Sequence, residues 1–150
     1  MQGISHRVFN TVLAGDLLVC CYDKFPLMTS IMAGGMIVFS GFPDKIERLG
    51  LKHRGISHSV IVYALLGWMY FWWSTIFNQY FDWISYIGYG FVCGCLGHIL
   101  ADMFSKNGVS ILGAKFNFKL YSTGKVSEQI FLFGFVLLNF LLMYWFVFYK

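Results

Sequence analysis

The stretch GHILADMF, residues 97–104, places an imidazole and a carboxylate in one of the most apolar parts of the chain. His98 and Asp102 are four residues apart, so on a helix they share a face, one turn apart. An ionisable group at the centre of a membrane helix costs about 2.5–3.5 kcal/mol, so such residues usually pair or line a polar cavity. Two chemistries fit: a hydrogen-bonded pair that joins helices, or two ligands of one divalent metal ion.

A second group of polar residues lies in FPDKIERLGLKHRGISHS, residues 42–59. His53 and His58 flank the Arg54-Gly55 pair, and Asp44 lies upstream of them. Imidazole and carboxylate bind divalent metals, and a guanidinium group binds phosphate oxygens. Together with His98 and Asp102, these residues predict a metal site with a phosphate-binding arginine.

The residues around this motif are given ordinary roles. Pro43 is expected to end the preceding membrane segment, which leaves Asp44 in a loop. Ser57 is a suitable N-cap for a helix that starts near His58. Lys45 and Glu47 are expected to form a solvated charge run.

Three further polar features need an interpretation. Asn107-Gly108 indicates a turn, and the alternation over residues 116–120 suggests a short extended segment at the membrane interface. Glu128 would lie in the first turn of the last helix, where the helix dipole favours a carboxylate; a ligand role is equally open. Asp16, isolated in the first apolar segment, is interpreted as a helix-packing residue.

Composition identifies the class of protein. The 150-residue chain is 58% hydrophobic, 21% aromatic and only 12% charged, whereas about a quarter of the residues in a soluble domain are charged. We therefore expect one membrane-embedded helical domain over residues 1–150. The N-terminus lacks a signal-peptide pattern and is expected to be retained. The four cysteines occur as Cys20-Cys21 and Cys93-Gly94-Cys95, spacings that favour packing roles over zinc or redox motifs.

The fold class expected is all-α, an integral membrane bundle of about four to five transmembrane helices. A crossing needs about 20 mostly apolar residues, and the candidate segments are 8–22, 27–42, 59–77, 84–104 and 129–149. The first two are marginal and should form a hairpin that turns at YDKFP, with Pro26 opening the second helix.

The basic residues predict the orientation in the membrane. Five crossings leave nine Lys and Arg residues on the side of the N-terminus and two, Lys24 and Lys150, on the other. The positive-inside rule therefore places the N-terminus in the cytoplasm. All four histidines, together with Asp44, Asp102 and Glu128, map to the same side, which favours one shared site. The basic residues do not form a groove-like surface, so nucleic acid is excluded as a partner.

These motifs carry a resemblance. HRGISHS (53–59) and GHILADMFSKNGVSIL (97–112), with Pro43-Asp44 upstream and His6 near the N-terminus, are similar to those of the YdjM-like family of bacterial membrane-bound metal-dependent hydrolases. The usual family run Leu-Pro-Asp-x-Asp is Phe-Pro-Asp-Lys-Ile here, so its second aspartate is missing. That family resembles zinc-dependent phospholipase C and its nuclease relatives.

The resemblance implies a ligand set and a cofactor of one or two divalent ions, with zinc preferred. Asp44, His98, Asp102 and either His58 or His53 would bind one ion, and His6 would share Asp102 to hold a second. Glu128 matches a ligand of the phospholipase pattern. Gly124 stands where that pattern has a histidine, which argues against three ions.

The function expected is metal-dependent hydrolysis of a phosphoester, in a lipid or another membrane-delivered substrate, at the cytoplasmic face of the bacterial inner membrane. Asp44, Arg54 and Glu128 are the catalytic candidates. One alternative is a non-enzymatic accessory subunit with a structural metal or polar cluster. Another, less favoured, is an ion or proton transporter that uses His98, Asp102 and Asp16. The aromatic-rich segments 68–73 and 129–150 could serve as a surface for a protein partner or a homo-oligomer.

Overall fold

The computed structural model describes residues 3–47, 58–77, 82–111 and 114–149. Helices dominate these residues, which confirms the all-α prediction, and one short hairpin is added to them. The elements in chain order are α1 (Gly3–Cys21), α2 (Pro26–Phe39), α3 (Phe42–Glu47), α4 (Val60–Phe77), α5 (Asp82–Phe104), β1 (Val109–Ile111), β2 (Ala114–Phe116) and α6 (Val126–Phe148).

Three helical stretches are long and apolar enough to cross a membrane: Pro26–Glu47, Trp83–Phe104 and Val126–Phe148. Val60–Ile76 is a shorter apolar helix. Helix α1 has 19 residues and is not among the three, because its sequence also carries polar residues. The helical membrane bundle is thus as predicted, with three clear spans and two weaker ones among the described residues.

The predicted hairpin of the first two helices is present. Helix α1 ends at Cys21, residues 22–24 form a turn, and Pro26 occupies the first turn of α2. Proline is tolerated there because the first N–H groups of a helix have no partner within it. Thr29 donates a hydrogen bond from its hydroxyl to the Phe25 carbonyl at 2.7 Å.

The expectation that Pro43 ends a segment and leaves Asp44 in a loop is wrong. Helix α2 already ends at Phe39, and Pro43 lies in the first turn of the short helix α3. The physical reason is the same as at Pro26: a residue without an N–H group suits the start of a helix. Asp44 and Glu47 therefore lie on one helical turn, three residues apart.

Helix α5 is the centre of the bundle and packs against α1, α2 and α4. Its contact with α2 depends on glycine. A Cβ atom built at Gly35 would lie 2.9 Å from the Gly90 Cα, and one at Gly94 would lie 2.7 Å from the Met36 carbonyl oxygen. Small residues allow membrane helices to approach this closely and pack well. The contact fixes α2 and α5 relative to each other.

The face of α5 toward α4 has its own apolar core. Cys95 and Ile99 on α5 are buried together with Tyr63 on α4 and Val109 on β1. With α2 on one side and α4 on another, α5 is held in a defined rotation about its axis. His98 and Asp102 consequently point in a fixed direction.

The segment after α5 is compact. Strands β1 and β2 pair antiparallel, with Val109 opposite Phe116. The turn predicted at Asn107-Gly108 is present, and Gly108 has a positive φ of 62°, where a side chain would collide with the Phe116 carbonyl. An extended segment is predicted at 116–120, but strand pairing involves earlier residues, Val109–Ile111 with Ala114–Phe116. Tyr121 donates a hydrogen bond to the Ala101 carbonyl at 2.7 Å, which joins the segment to α5.

Helix α6 packs against α1. The Phe9 and Phe135 rings stack with centroids 4.3 Å apart, and Asn139 donates a hydrogen bond to the Asp16 carboxylate at 2.8 Å. The interpretation of Asp16 as a helix-packing residue agrees with this contact.

Candidate metal centre

Four elements bring their polar side chains to one end of the bundle. Helix α5 carries His98 and Asp102, α3 carries Asp44, α1 carries His6, and His58 lies just before α4. The three histidines and Asp102 are buried, whereas the Asp44 side chain is 32% exposed. The structure therefore brings five of the predicted site residues together, with Asp44 at the accessible edge of the cluster.

Four side-chain atoms converge at the centre of the cluster. The Nε2 atoms of His58 and His98 are 3.2 Å apart. Asp44 Oδ1 lies 3.5 Å from His58 Nε2 and 3.3 Å from His98 Nε2. Asp102 Oδ2 lies 3.3 Å from His58 Nε2 and 3.7 Å from His98 Nε2. Two nitrogens and two carboxylate oxygens thus surround one small volume.

The far side of each imidazole ring determines its tautomer. His98 Nδ1 is 2.6 Å from the Ser40 carbonyl oxygen, and His58 Nδ1 is 2.8 Å from Glu47 Oε1. Because both partners are acceptors, each Nδ1 must donate its N–H. In the neutral rings, both Nε2 lone pairs therefore face the centre, and a hydrogen bond at Nδ1 of this kind is what orients metal-ligating histidines.

The spacing of Asp44, His58 and His98 fits a metal ion. Ligands at about 2.0–2.2 Å from a tetrahedral zinc ion lie about 3.3–3.6 Å from one another. The three atoms of this group are 3.2–3.5 Å apart, and Asp102 Oδ2 lies 3.3 and 3.7 Å from the two histidine nitrogens. Imidazole nitrogen and carboxylate oxygen are also the ligand types that zinc accepts. The residues present therefore suit a divalent ion.

The charges of the cluster also favour a cation at its centre. Asp44 and Asp102 flank the two imidazoles, and Glu47 lies behind His58, so the cluster is rich in carboxylates. Burial lowers the pKa of His58, but hydrogen bonds with the Asp102 and Asp44 carboxylates and the nearby charges of Asp102 and Glu47 outweigh burial and raise the pKa to about 9. In the metal-free protein a proton on His58 supplies part of the positive charge that a metal ion would bring.

His6 lies beside this centre. Its ring stacks on His98 with centroids 3.5 Å apart, and its Nε2 is 3.6 Å from Asp102 Oδ1. Among the described residues, neither ring nitrogen of His6 has a hydrogen-bond partner, although the side chain is fully buried. Asp102 thus has one oxygen toward the four-atom centre and the other toward His6, the arrangement of a carboxylate shared by two positions.

The remaining predicted site residues fall elsewhere. Within the described ranges, the groups close enough to hold an ion include His6–His98–Asp102 and Asp44–His58–His98, and Glu128 is in neither. Glu128 is buried and accepts a hydrogen bond from the Gly124 N–H group, as its predicted position in the first turn of α6 would allow. His53 and Arg54 lie outside the described residues, as does Ser57, and α4 begins at Val60.

Glu47 was misassigned by the sequence analysis. Its side chain is only 10% exposed and accepts the His58 N–H, so it does not belong to a solvated charge run. The spacing of Asp44 and Glu47, three residues apart on a helix, is the signal that could have identified it, but the helix itself was missed.

Comparison with known proteins agrees with this architecture. The family model described as YdjM inner membrane protein matches residues 2–149. No curated protein and no solved structure matches the chain. With helices long enough to cross a membrane and a match over nearly its full length, the chain is a membrane protein and belongs to the YdjM inner membrane protein family.

Proposed function

We propose that this protein is a membrane-embedded, metal-dependent hydrolase that cleaves a phosphoester in a lipid or another membrane-delivered substrate. The single observation that carries the proposal is the approach of His58 Nε2, His98 Nε2 and Asp44 Oδ1 to 3.2–3.5 Å of one another. Asp102 Oδ2 lies beside both histidine nitrogens, and both Nδ1–H groups donate to acceptors on the outside of the cluster. Such preorganised ligands suit a divalent ion, of which zinc fits the ligand types best.

His58, His98, Asp44 and Asp102 would hold the ion, which would supply Lewis-acid chemistry and lower the pKa of a water molecule toward about 7, so that hydroxide is available at neutral pH. Asp44 is the exposed member of the ligand set, so water and substrate approach from its side. In hydrolysis the water oxygen bonds to phosphorus, the ester P–O bond breaks, and the proton that the water loses is delivered to the departing oxygen. Asp44 would act either as a ligand or as the base that carries this proton.

Two further residues complete the proposed site. His6 and the second oxygen of Asp102 hold a second ion, because the buried ring nitrogens of His6 need a partner and face that oxygen. Arg54 binds a non-bridging phosphate oxygen, a role that its guanidinium group suits and that follows from the motif HRGISHS. Glu128 is buried near the start of α6 and is retained as a third candidate on the family pattern alone.

A second function is favoured by a specific observation. Four protein ligands close a tetrahedral site, and closed sites are typical of structural zinc, whereas catalytic zinc keeps a position for water. In that case the metal would join α3, α4 and α5 in a non-enzymatic accessory protein. The partial exposure of Asp44 and the incomplete ligand set at His6 favour the hydrolase.

The proposed location is the cytoplasmic face of the bacterial inner membrane, with the N-terminus in the cytoplasm. The distribution of Lys and Arg supports this orientation, and every candidate ligand is on that same side of the predicted topology.

The test begins with metal content, measured by mass spectrometry on detergent-purified protein prepared without chelator. We expect one or two equivalents of zinc or manganese in the wild type and none in His98→Ala/Asp102→Ala. Asp23→Asn, a charge change in the exposed turn after α1, is the matched control and should keep the metal. No metal in the wild type, before or after its addition, would rule out both proposed functions.

The metal-loaded protein is then assayed with three water-soluble esters: bis(4-nitrophenyl) phosphate, 4-nitrophenyl phosphate and 4-nitrophenyl butyrate. The hydrolase predicts metal-dependent turnover of at least one phosphate ester, absent from the double variant. Bound metal with no turnover of any ester, and a loss of thermal stability on chelation, would favour the structural role.

A further inference from the structure

An apolar cavity of about 360 Å³ lies between α2 and α4, with α5 as its floor. We call it the α2–α4 cleft, and it is lined by Phe39, Leu66, Tyr70, Ile84, Ile87, Gly88, Phe91 and Val92. The hydroxyl of Tyr70 donates to the Ile84 carbonyl, so this group is already satisfied. The cleft therefore offers an occupant hydrocarbon contacts.

The face of α5 that forms the floor of the cleft continues toward the proposed metal centre, past Cys95, which is buried against Tyr63 of α4. On α5, residues three or four apart share a face, and the stripe that passes through the cleft continues to the ligands: Ile84, Gly88, Phe91, Cys95, His98 and Asp102. His98 is seven residues beyond Phe91, which is about 10 Å along a helix. The stripe is apolar in the cleft and becomes polar at the end where the metal centre lies.

Both walls lead to the same place. Phe39 in the α2 wall immediately precedes Ser40, whose carbonyl accepts the His98 N–H. On α4 the cleft is lined by Leu66 and Tyr70, and the helix itself begins two residues after His58. Phe91 packs edge-to-face against Phe39 and Phe42, with centroids 5.1 and 4.9 Å away, so these three rings form the packed boundary between the cleft and α3. Each of the three elements that form the cleft therefore adjoins or carries a ligand.

We propose that the α2–α4 cleft holds one acyl chain of a membrane lipid whose headgroup ester or phosphoester lies at the metal centre, an inference that rests on the proposed function. Leu66 is 42% exposed and Ile87 is 39% exposed, so the cleft opens to its surroundings, which are lipid in a membrane. A second helix is about 10–12 Å wide with its side chains and does not fit so small a cavity, whereas a hydrocarbon chain does.

A chain in this cleft gains little from burial alone, because the lipid tails outside it are equally apolar. The headgroup contacts at the metal centre must therefore hold the lipid, and the cleft selects a chain that extends from that headgroup. Occupancy should consequently depend on both the cleft and the centre.

The test uses photolabelling, which needs no turnover. The protein is placed in vesicles of phosphatidylethanolamine and phosphatidylglycerol that contain phosphatidylglycerol with a diazirine at the end of one acyl chain, and labelled residues are mapped by mass spectrometry. We expect labelling of the cleft residues in the wild type. Leu66→Trp, which fills the cleft, should reduce that labelling about tenfold or more.

Leu65→Trp is the matched control. Leu65 is the neighbouring residue, is 54% exposed and does not line the cleft, so the same enlargement there should leave cleft labelling unchanged. Metal content is measured on every sample. If Leu66→Trp loses its metal, Ile87→Phe replaces it as the variant that fills the cleft.

Equal cleft labelling in the wild type and in the metal-containing variant with a filled cleft would overturn the inference, as would an equal loss in Leu65→Trp. Failure of the proposed function is distinguishable. Cleft labelling with bound metal but no ester turnover would refute the hydrolase and leave the lipid site standing. Turnover of soluble esters without cleft labelling would refute the lipid site alone.

Discussion

Asp16 and Asp102 are both carboxylates on long helices of a membrane protein, but their partners differ in kind. Asp16 accepts one hydrogen bond from the Asn139 amide across the α1–α6 contact. Asp102 faces the ring nitrogens of three histidines, His6, His58 and His98. The first pair is one donor that meets one acceptor. The second is part of a cluster in which a proton on His58 pairs with the Asp102 and Asp44 carboxylates, and in which lone pairs face the centre once that proton is lost.

This difference separates packing from chemistry. The Asn139 amide donates to the Asp16 carboxylate, and this donor–acceptor contact joins two helices. At the candidate metal centre, Ser40 and Glu47 accept the Nδ1–H groups of His98 and His58, and a cation, either a proton or a metal ion, must balance the inward-facing atoms. A buried carboxylate by itself therefore indicates little, and the tautomer of the histidines around it carries the information.

The largest expected difference is between Asp102→Asn and Asp16→Asn, the same substitution at the two carboxylates. Zinc at a thousandfold excess over its Kd should stabilise the wild type by about 4 kcal/mol. Asp102→Asn should lose this stabilisation, because the amide is a poorer ligand, whereas Asp16→Asn should keep it. Thermal denaturation in detergent, with and without zinc, measures both. Equal zinc dependence in the two variants would remove the distinction between them.

The next largest effect should be a fall in zinc affinity when the pH is lowered, which involves His58 at the candidate metal centre. The folded-state pKa of His58 is raised to about 9, above the ordinary 6.5, so the ring holds a proton at neutral pH that zinc must displace. Zinc affinity should therefore fall about tenfold per pH unit below 9, or about a hundredfold from pH 8 to pH 6. Competition with a chromophoric chelator measures it.

Zinc affinity should rise with pH, whereas the stability of the metal-free protein should fall with pH. Because the folded pKa of His58 is the raised one, its ion pairs stabilise the protein fully below pH 6.5, and this contribution is lost as the pH rises through about 9. The stability of the metal-free wild type and of metal-free His58→Gln is compared over this pH range. If the contribution of His58, the difference between the two, increased as the pH rises, the raised pKa assigned to His58 would be wrong.

A smaller effect is expected at Glu47, which orients His58. Glu47→Gln should lower zinc affinity about 10- to 100-fold, as loss of a carboxylate behind a metal ligand does. Asp16→Asn is the control, because Asp16 is a carboxylate whose hydrogen-bond partner, Asn139, lies in the α1–α6 contact. Calorimetric zinc titration should show an affinity loss in Glu47→Gln only; a similar loss in Asp16→Asn would mean that the effect does not depend on the orientation of His58.

The smallest effect belongs to the packing pair. A double-mutant cycle of Asp16→Leu and Asn139→Leu should give a coupling energy of about 0.6 kcal/mol, the average for hydrogen bonds between membrane helices. Zinc content should not change in any member of the cycle. A coupling of several kcal/mol, or a loss of zinc, would mean that this pair is linked to the metal centre.

The sequence predicted much of the fold and most of the cluster. Apolar stretches of sufficient length indicate membrane helices, and Pro26 marks the start of α2. His98 and Asp102 could be paired from their spacing, because both lie on one helix. Spacing could not choose between His53 and His58, since that choice depends on how the chain enters α4; the structure brings His58 to the cluster, and His53 lies outside the described residues.

The errors have a common origin in a short helix. Six residues, Phe42–Glu47, are too few for a hydrophobic period to be recognised, and isolated helices of this length are unstable. The sequence alone therefore predicts that Pro43 ends a segment and that Glu47 is solvated, and both predictions are wrong. Tertiary contacts stabilise α3 and turn Glu47 toward His58.

The sequence by itself determined that this is a helical membrane protein, and it predicted a topology with histidines and carboxylates on one side, because apolar length and charge are properties of single segments. Only the tertiary structure decided which of those residues meet. The close approach of Gly35 and Gly90 sets α2 and α3 against α5, and the Ser40 carbonyl and the Glu47 carboxylate then fix the two rings. Ligand geometry depends on distances between segments remote in sequence, and these arise from packing.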